Sequence, residues 1–305
     1  MDISIVRIPL HDVKHFPERF NSNNHDLDEL PDNSPEKALT ANGQYAAIRS
    51  ETACSRWVSL RFSSSHEYIC VPLTMRECMV LREYSRIGQA TMHYPSDDDD
   101  LMPIIDKIDR GIAGQVGVTP PFFARLEGVS TKDGVNGPGP FFTGKEVVKA
   151  IVTSLRCYRE FDGNPGGANS VYLFPWRADL DTDREFRAFV SNTRVTAISQ
   201  YSWTRESIWS DPTQDAALRA IAADIVRLVE RILARHLDIF IPRSFVLDVA
   251  ALSSGVELIE LNAFGAQLSA GSGLFHWIKD LDLLYGANLK GSNAENRIEL
   301  RIVSC

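Results

Sequence analysis

Two acidic residues and an asparagine on two predicted neighbouring strands have the right chemistry to hold a divalent metal ion. Asp248 lies in the apolar run SFVLDVAA, and the next run, VELIELNAF, contains Glu260 and Asn262. Because side chains alternate along a strand, Leu258, Glu260 and Asn262 are expected on one face, with the two polar groups about 7 Å apart. Two carboxylates and an amide oxygen are ligands that Mg²⁺ accepts when nucleotide phosphates complete its coordination.

Arg187 is the basic residue that could oppose this acidic set. It lies in the predicted strand REFRAFV, where the period of two places Glu185, Arg187 and Phe189 on one face. A guanidinium there could hold phosphate oxygens in a bidentate manner. The competing interpretation is that the two acids form structural ion pairs with Arg187 or Arg243 and have no other role. The spacing alone leaves both interpretations open.

A second group of cations and glycines precedes these strands. Arg125 and Lys132 bracket a strand-to-loop junction and could contact a polyphosphate. The sequence GVNGPGP at 134–140 follows, and its backbone amides could approach phosphates in a mobile loop, although an exposed hairpin tip would look the same. The chain contains neither a Walker motif nor a strand-linked G-x-G-x-x-G. A nucleotide site must therefore be built in another way.

Composition limits the classes of protein to consider. The 305 residues, 44% of them hydrophobic, are enough for one large domain or two closely joined ones. The net charge of −8 argues against wrapping of duplex phosphates, so nucleic-acid binding is not expected. Five cysteines without a C-x-x-C pair, and seven histidines without H-E-x-x-H spacing, favour neither a disulfide framework nor a zinc site.

The sequence gives no sign of membrane association. No apolar run approaches the roughly 18 residues of a membrane span, and the first residues lack the pattern of a signal peptide. Residues 20–42 are crowded with Asn, Asp, Pro and Ser and predict a loop or mobile leader, with ordered structure beginning near Gln44. We expect a cytoplasmic protein with a leader at 1–43.

Hydrophobic periodicity predicts the elements that would position the candidate residues. Alternating and short apolar runs predict strands at 57–62, 68–73, 120–126, 170–174, 184–190, 193–203, 244–251 and 256–264. Thr74 with Glu77, and Thr143 with Glu146, fit capping boxes that begin helices, the second of them reaching about Arg159. Apolar residues at helical spacing predict further helices at 101–112 and 218–232.

Several blocks in this order resemble the cell division cycle protein 123 family, a branch of the ATP-grasp superfamily. They are FARLEGVSTKDG, SVYLFPWRADLDTDREFRAFVSNTRVTAISQY, FVLDVAALSSGVELIELNAFG and LFHW, and the resemblance covers about residues 52–303. It implies an α+β, ATP-grasp-like fold of two lobes, with antiparallel sheets flanked by helices. The lobes are expected at 44–170, with the phosphate-side strand and loop, and at 171–305, with the metal site.

The resemblance also implies roles for individual residues. Asp248, Glu260 and Asn262 would be Mg²⁺ ligands, and Arg187 would bind a phosphate and act in catalysis. The segment 171–176 would be the adenine-side hinge. The implied ATP contacts are Arg125, Lys132, Phe174, Trp176, Glu185, Arg187 and Gln200. The chain departs from the family pattern at Arg125, where a lysine is usual, and at Tyr201, where an arginine usually follows I-S-Q.

The resemblance implies two different uses of ATP. ATP-grasp ligases form an acyl phosphate on a small-molecule or peptide carboxylate, which an amine then displaces, and we expect such an ATP-dependent ligase. The alternative is an ATP-dependent assembly chaperone that binds the gamma subunit of translation initiation factor 2. A third possibility is ligation of RNA ends, for which the acidic composition gives no support.

Overall fold

The computed structural model divides the chain into two compact units. Unit 1 comprises Met1–Arg61 and Ala178–Cys305, and unit 2 comprises Phe62–Arg177. The lobe boundary that we expected between residues 170 and 171 falls inside a strand of unit 2. The residues that the structure describes are 2–30, 32, 34, 36–37, 50–95, 98–163, 169–236, 244–267, 270–286 and 297–305. Gln44 and Arg243 lie outside them.

Unit 1 is built on a six-stranded sheet. Its strands in chain order are β1 (Asp2–Pro9), β5 (Glu185–Ser191), β6 (Arg194–Gln200), β7 (Phe245–Leu252), β8 (Gly255–Ala263) and β9 (Arg297–Ser304). They lie side by side in the order β1-β9-β6-β5-β7-β8. The pairs from β6 to β8 are antiparallel, as expected, whereas β9 runs parallel to both β1 and β6.

The first residues of the chain form part of this sheet. β1 pairs with β9 along its whole length, from Asp2 opposite Arg297 to Pro9 opposite Ser304, and Ile3 is buried. Helix α1 (Leu10–His15) follows directly. The prediction that order begins near Gln44 is therefore wrong. A leader was inferred from the polar composition of residues 20–42, but that composition says nothing about the apolar strand before them.

Two hairpins and one long helix complete the frame of unit 1. Asn192 and Thr193, both with positive φ, turn β5 into β6, and Gly255 at φ +120° follows the turn from β7 into β8. Helix α7 (Asp215–His236) contacts β1, β6 and β8, so it crosses the sheet. Its fully buried side chains are Leu218, Ala222 and Ile225. The predicted hairpins and the predicted longest helix are confirmed.

The two faces of the six-stranded sheet differ in polarity. Residues directly opposite one another on neighbouring strands share a face, and the register places Arg187 opposite both Asp248 and Ser199. Ser199 in turn lies opposite Arg301. The other face carries apolar neighbours, including Phe186, Leu247, Val249 and Ile198. All polar candidates of this sheet except Gln200 therefore lie on the first face, which we call the polar face.

In its described residues, 62–95, 98–163 and 169–177, unit 2 contains a three-stranded antiparallel sheet and four α-helices. The strands are β2 (Ile69–Leu73), β3 (Phe122–Arg125) and β4 (Asn169–Pro175), in the order β2-β4-β3. The helices are α3 (Met75–Thr91), α4 (Met102–Gly114), α5 (Gly144–Thr153) and α6 (Leu155–Gly163). Both predicted capping boxes are present, because Thr74 and Glu77, like Thr143 and Glu146, satisfy each other's backbone amides at the helix start.

Two predicted elements differ from those observed. Residues 57–62 were predicted as a strand, but Cys54–Arg61 forms helix α2 in unit 1, with Trp57 and Val58 buried and Trp57 Nε1 bonded to the Thr52 carbonyl. A short window of alternating apolar residues fits one buried helical stripe as well as a strand. The helix expected to run to about Arg159 is interrupted at Ser154, whose hydroxyl donates to Asp133.

The predicted α+β class is confirmed. Both units combine a sheet with packed helices, and unit 1 also contains the short helix α8 (Leu281–Leu284). No helix within the described ranges is both long enough and apolar enough to cross a membrane.

If β1 is a structural strand, removing one of its buried side chains must destabilise the protein. We expect Ile3→Ala to lower the free energy of unfolding by about 2 kcal/mol, because a buried isoleucine loses its packing. Asp2→Ala, an exposed substitution on the same strand, should change it by less than about 0.5 kcal/mol. Urea unfolding measures both. Equal midpoints for Ile3→Ala and the unaltered chain would mean that β1 does not contribute to the folded sheet.

Candidate functional site

A buried ion pair occupies the centre of the polar face. Arg187 Nε donates to Asp248 Oδ1 over 2.8 Å and Nη2 donates to Oδ2 over 2.7 Å. The pair links β5 to β7 through residues that lie directly opposite each other. Asp248 is 1% exposed. Of the two interpretations left open by the sequence, the ion pair with Arg187 is thus present, and its geometry is the bidentate one that holds a guanidinium most firmly.

Asn262 and Glu260 extend this pair along β8. Asn262 Nδ2 lies 3.1 Å from Asp248 Oδ2 and 3.3 Å from Glu260 Oε1. The Asp248 and Glu260 carboxyl groups are themselves within hydrogen-bonding reach. The structure therefore brings all three predicted metal ligands together. Rotation of the amide about its last bond would exchange Nδ2 for Oδ1 and present an oxygen to the same point.

A β-bulge sets which residues of β8 reach this point. Asp248 lies opposite Glu260, but its neighbour Val249 lies opposite Leu258, so Ile259 is an extra residue in β8. Leu258 consequently shares the face of Val249 and not that of Glu260. The prediction that Leu258 would share the face of Glu260 and Asn262 is wrong, because strict alternation does not survive a bulge.

Arg187 has two further neighbours that the sequence did not indicate. Its Nη1 donates to the Gly271 carbonyl over 2.6 Å, and its Cζ lies 5.2 Å from the centre of the Tyr201 ring. The Tyr201 ring therefore provides a cation–π contact to the Arg187 guanidinium. Nothing in local spacing distinguishes Gly271 from other glycines in the chain.

Burial controls the protonation of this cluster. It raises the pKa of the Asp248 carboxyl above its usual range, an effect that Arg187 opposes and Glu260 reinforces. Burial lowers the pKa of Arg187, but the charge of Asp248 outweighs it, and the pKa lies above the ordinary arginine value. Glu260 thus places a second carboxyl beside Asp248, and a bound cation would offset the charge of both carboxylates when they are ionised.

The donor set fits a magnesium ion. Two carboxylates in contact, with an amide beside them, supply hard oxygen ligands and a charge that favours a divalent cation. The described residues contain no group of three or more His, Cys, Asp or Glu with metal-binding geometry. A metal ion held by Asp248, Glu260 and Asn262 would accordingly need phosphate or water oxygens to complete its coordination, as Mg²⁺ does with nucleotides.

The two other candidates of this sheet have different positions. Glu185 lies on the polar face, opposite Ala250 and two residues from Arg187, and its carbonyl accepts from Tyr201 N over 2.9 Å. Gln200 lies opposite Phe186 and so on the apolar face. Its amide is fully used, because Nε2 donates to the carbonyls of Ser202 and Arg205 and Oε1 accepts from Val303 N. The structure does not bring Gln200 together with Arg187.

The predicted hinge residues lie in unit 2. Phe174 is 1% exposed, and its ring centre lies 5.0 Å from that of Phe62, 6.1 Å from that of Tyr68 and 6.4 Å from that of Phe123. Trp176, just beyond β4, is partly buried, and its backbone amide donates to the Pro121 carbonyl over 2.9 Å. Phe174 therefore belongs to an aromatic cluster of unit 2, and Trp176 remains partly exposed.

The two predicted cations of unit 2 also differ in exposure. Arg125 ends β3, is buried, and donates from Nε to the Leu126 carbonyl over 3.2 Å. Lys132 is exposed in the loop that follows. In that loop the amides of Gly134 and Val135 already donate to Thr131 O and Thr153 Oγ1, so these two amides are not available to phosphates.

The importance of the Arg187–Asp248 pair can be measured in a double-mutant cycle. Asp248→Asn leaves a buried guanidinium without its counter-charge, and we expect it to cost about 3 kcal/mol of unfolding free energy, with Arg187→Met similar. The double variant removes both charges and should cost less than the sum by about 2 kcal/mol. The exposed pair Arg227–Asp224 on α7 is the control, with coupling below about 1 kcal/mol. Additive costs at Arg187 and Asp248 in urea unfolding would refute the coupling.

Comparison with known proteins shows what this chain is similar to. Residues 166–305 match the D123 family. The putative CDC123-like protein L884 of Acanthamoeba polyphaga mimivirus is 26% identical over 147 residues, which are 46% of this chain and 43% of that protein. The match thus spans less than half of that relative's length.

Two solved structures share the fold. Cdc123 from Schizosaccharomyces pombe is 17% identical with a TM-score of 0.60, and its C-terminally truncated form is 18% identical with a TM-score of 0.60. Each comparison covers 84% of this chain and 97% of the other. Residues 166–305, which include Arg187, Asp248, Glu260 and Asn262 of the polar face, are thus similar to the D123 family, and the fold of the chain is similar to that of Cdc123.

Proposed function

We propose that this chain is an ATP-grasp-like protein that binds Mg·ATP in the cytoplasm through the polar face of unit 1. One observation carries the proposal: two carboxylates and an amide converge beside a buried guanidinium, on neighbouring strands. A divalent cation shared by all three residues would offset the charge of the two adjacent carboxylates and use the amide oxygen as a further ligand.

Each residue has a distinct task in this proposal. Asp248, Glu260 and Asn262 would hold Mg²⁺, which when bound supplies charge neutralisation for the triphosphate. Arg187 uses three of its five N–H donors within the described part of the chain, towards Asp248 and Gly271, and two remain for phosphate oxygens. Its guanidinium is oriented before ATP arrives, so little ordering is lost on binding.

The reaction that this arrangement supports best is carboxylate–amine ligation. A substrate carboxylate attacks the gamma-phosphorus, ADP leaves, and an amine then displaces phosphate from the acyl phosphate. The protein's part is to orient the phosphates and offset the negative charge that develops on them, as Arg187 is placed to do. No protein nucleophile is required. ATP-dependent assembly of translation initiation factor 2, through binding of its gamma subunit, is the second candidate, and the similarity to the D123 family and to Cdc123 is the observation that favours it.

The metal assignment predicts a selective loss of Mg-dependent ATP binding. Glu260→Gln removes one ligand charge but leaves the bidentate Arg187–Asp248 pair in place, so the fold should survive. We expect the Kd for ATP with Mg²⁺ to rise at least about tenfold, with a smaller change in EDTA, by isothermal titration. Glu230→Gln, an exposed change of the same charge on α7, is the control. Unchanged affinity in Glu260→Gln would remove Glu260 from the site.

Turnover separates the candidate uses of ATP. The protein is incubated with Mg·ATP and pools of carboxylates and amines, and ADP, AMP and phosphate are followed. Ligation predicts release of ADP and phosphate that depends on both substrates. Release of AMP with RNA ends would instead indicate RNA ligation. Tight ATP binding without turnover, together with capture of a purified initiation factor 2 gamma subunit, would support assembly and reject ligation.

A further inference from the structure

Residues 20–30 pack on the segment 264–285 of the same unit. The Asn21 amide donates to the Gly273 carbonyl over 2.7 Å, and the His25 amide donates to the Ala266 carbonyl over 2.9 Å. Ser22 Oγ accepts from the Trp277 amide over 2.8 Å. Leu30 is buried in the cluster that contains Phe264, Phe275 and Trp277. The polar residues expected to form a mobile leader therefore hold a second segment in place.

Asn21 makes two hydrogen bonds to Gly273 in the glycine turn 271–273. Its φ of +46° turns the chain so that both its amide and its side-chain Oδ1 meet Gly273, the latter accepting from Gly273 N over 3.1 Å. A methyl group added at Gly271 would overlap Oδ1 of Asn21. Position 271 therefore has room only for glycine while the Asn21 side chain stays in this place.

The sheet holds the same turn from the opposite side. Ser199 Oγ accepts from the Leu274 amide over 2.9 Å, and an added methyl group at Gly273 would overlap that hydroxyl. Ser199 lies directly opposite Arg187 in the sheet. Arg301, the next residue across, donates to the carbonyl of Leu274 over 3.0 Å. The turn is therefore hydrogen-bonded to Asn21 on one side and to the polar face on the other. The Gly271 carbonyl in this turn accepts the hydrogen bond from Arg187 Nη1.

We propose that Asn21 is a positioning residue for the candidate ATP site, acting on Arg187 through the Gly271 carbonyl. Asp248 holds one edge of the guanidinium, and Gly271 O holds the far nitrogen. With both contacts the plane of the guanidinium is defined, and its two remaining N–H groups have a set direction for phosphate. Without the side-chain hydrogen bond of Asn21 to Gly273, the turn can shift, and the contact between Arg187 Nη1 and the Gly271 carbonyl is lost. This inference rests on the proposed binding of Mg·ATP.

The variant Asn21→Gly tests the role without backbone strain. Glycine accepts the positive φ of residue 21, so only the side-chain amide is lost. Leu30→Val is the control, since it reduces the packing between the same two segments, in the cluster with Phe264, Phe275 and Trp277, and removes no hydrogen bond to residues 271–273. Two quantities are measured in the full-length chain: the Arg187 Nε–H resonance by NMR without ligand, and the Kd for Mg·ATP.

We expect Asn21→Gly to shift or broaden the Arg187 resonance and to weaken Mg·ATP binding about threefold to tenfold, the range of one net hydrogen bond. Leu30→Val should lower thermal stability but leave both quantities unchanged. An unaltered resonance and Kd in Asn21→Gly would overturn the positioning role. Equal effects of Leu30→Val would overturn it too, because they would show that any weakening of the contact between the two segments has the same result.

The same experiment separates this role from the function on which it rests. If the unaltered chain fails to bind Mg·ATP, the proposed function and the positioning role both fall, even if the Arg187 resonance responds. If the unaltered chain binds and Asn21→Gly binds equally well, only the positioning role falls. Gly271→Ala provides a further test. It should weaken Mg·ATP binding in the unaltered chain. In Asn21→Gly it should cause little further loss of affinity, because the Asn21 side chain that the new methyl group would overlap is absent.

Discussion

The contact between Arg187 and Asp248 is the constraint on which the polar face of unit 1 depends. A guanidinium and a carboxylate removed from water lose hydration that only close, multiple hydrogen bonds can replace. Here the two strands β5 and β7 place them opposite each other, and Gly271 and Asn262 bind the groups that remain. Any side chain that disturbs this register leaves a buried charge without a partner. The middle of the sheet therefore tolerates little change.

The contact between two carboxyl groups in this cluster connects stability to the proposed function. Glu260 adds a second carboxyl beside Asp248, and its charge raises the Asp248 pKa further. For folding alone this repulsion is a cost, and an apolar residue at position 260 would avoid it. A cation that binds both carboxylates relieves the repulsion between them, and the two negative charges increase its affinity for the site. Local destabilisation of this kind is common where a protein keeps charges for a ligand.

Much of this arrangement could be predicted from the sequence, because it depends on local periodicity. The alternation in REFRAFV and VELIELNAF correctly placed Arg187, Glu260 and Asn262, and the capping boxes at Thr74 and Thr143 marked helix starts. The bulge at Ile259 could not be predicted, since one inserted residue has no composition of its own and depends on the pairing with β7. Trp57 shows a different limit: eight residues are too few to separate a helical stripe from a strand.

Contacts between residues far apart in sequence account for the remaining differences. β1 forms a strand because it pairs with the free edge of β9, which lies near the other end of the sequence. No property of residues 2–9 alone indicates that partner. Gln200 looks like a cleft residue by resemblance, yet its amide satisfies three backbone groups on the apolar face. Polar composition at 20–30 suggested a chain without structure. Those residues instead use hydroxyl, amide and backbone groups to satisfy the turn at 271–274, where apolar side chains could not. Polar, glycine-rich segments can therefore be well ordered when each supplies the hydrogen bonds that the other lacks.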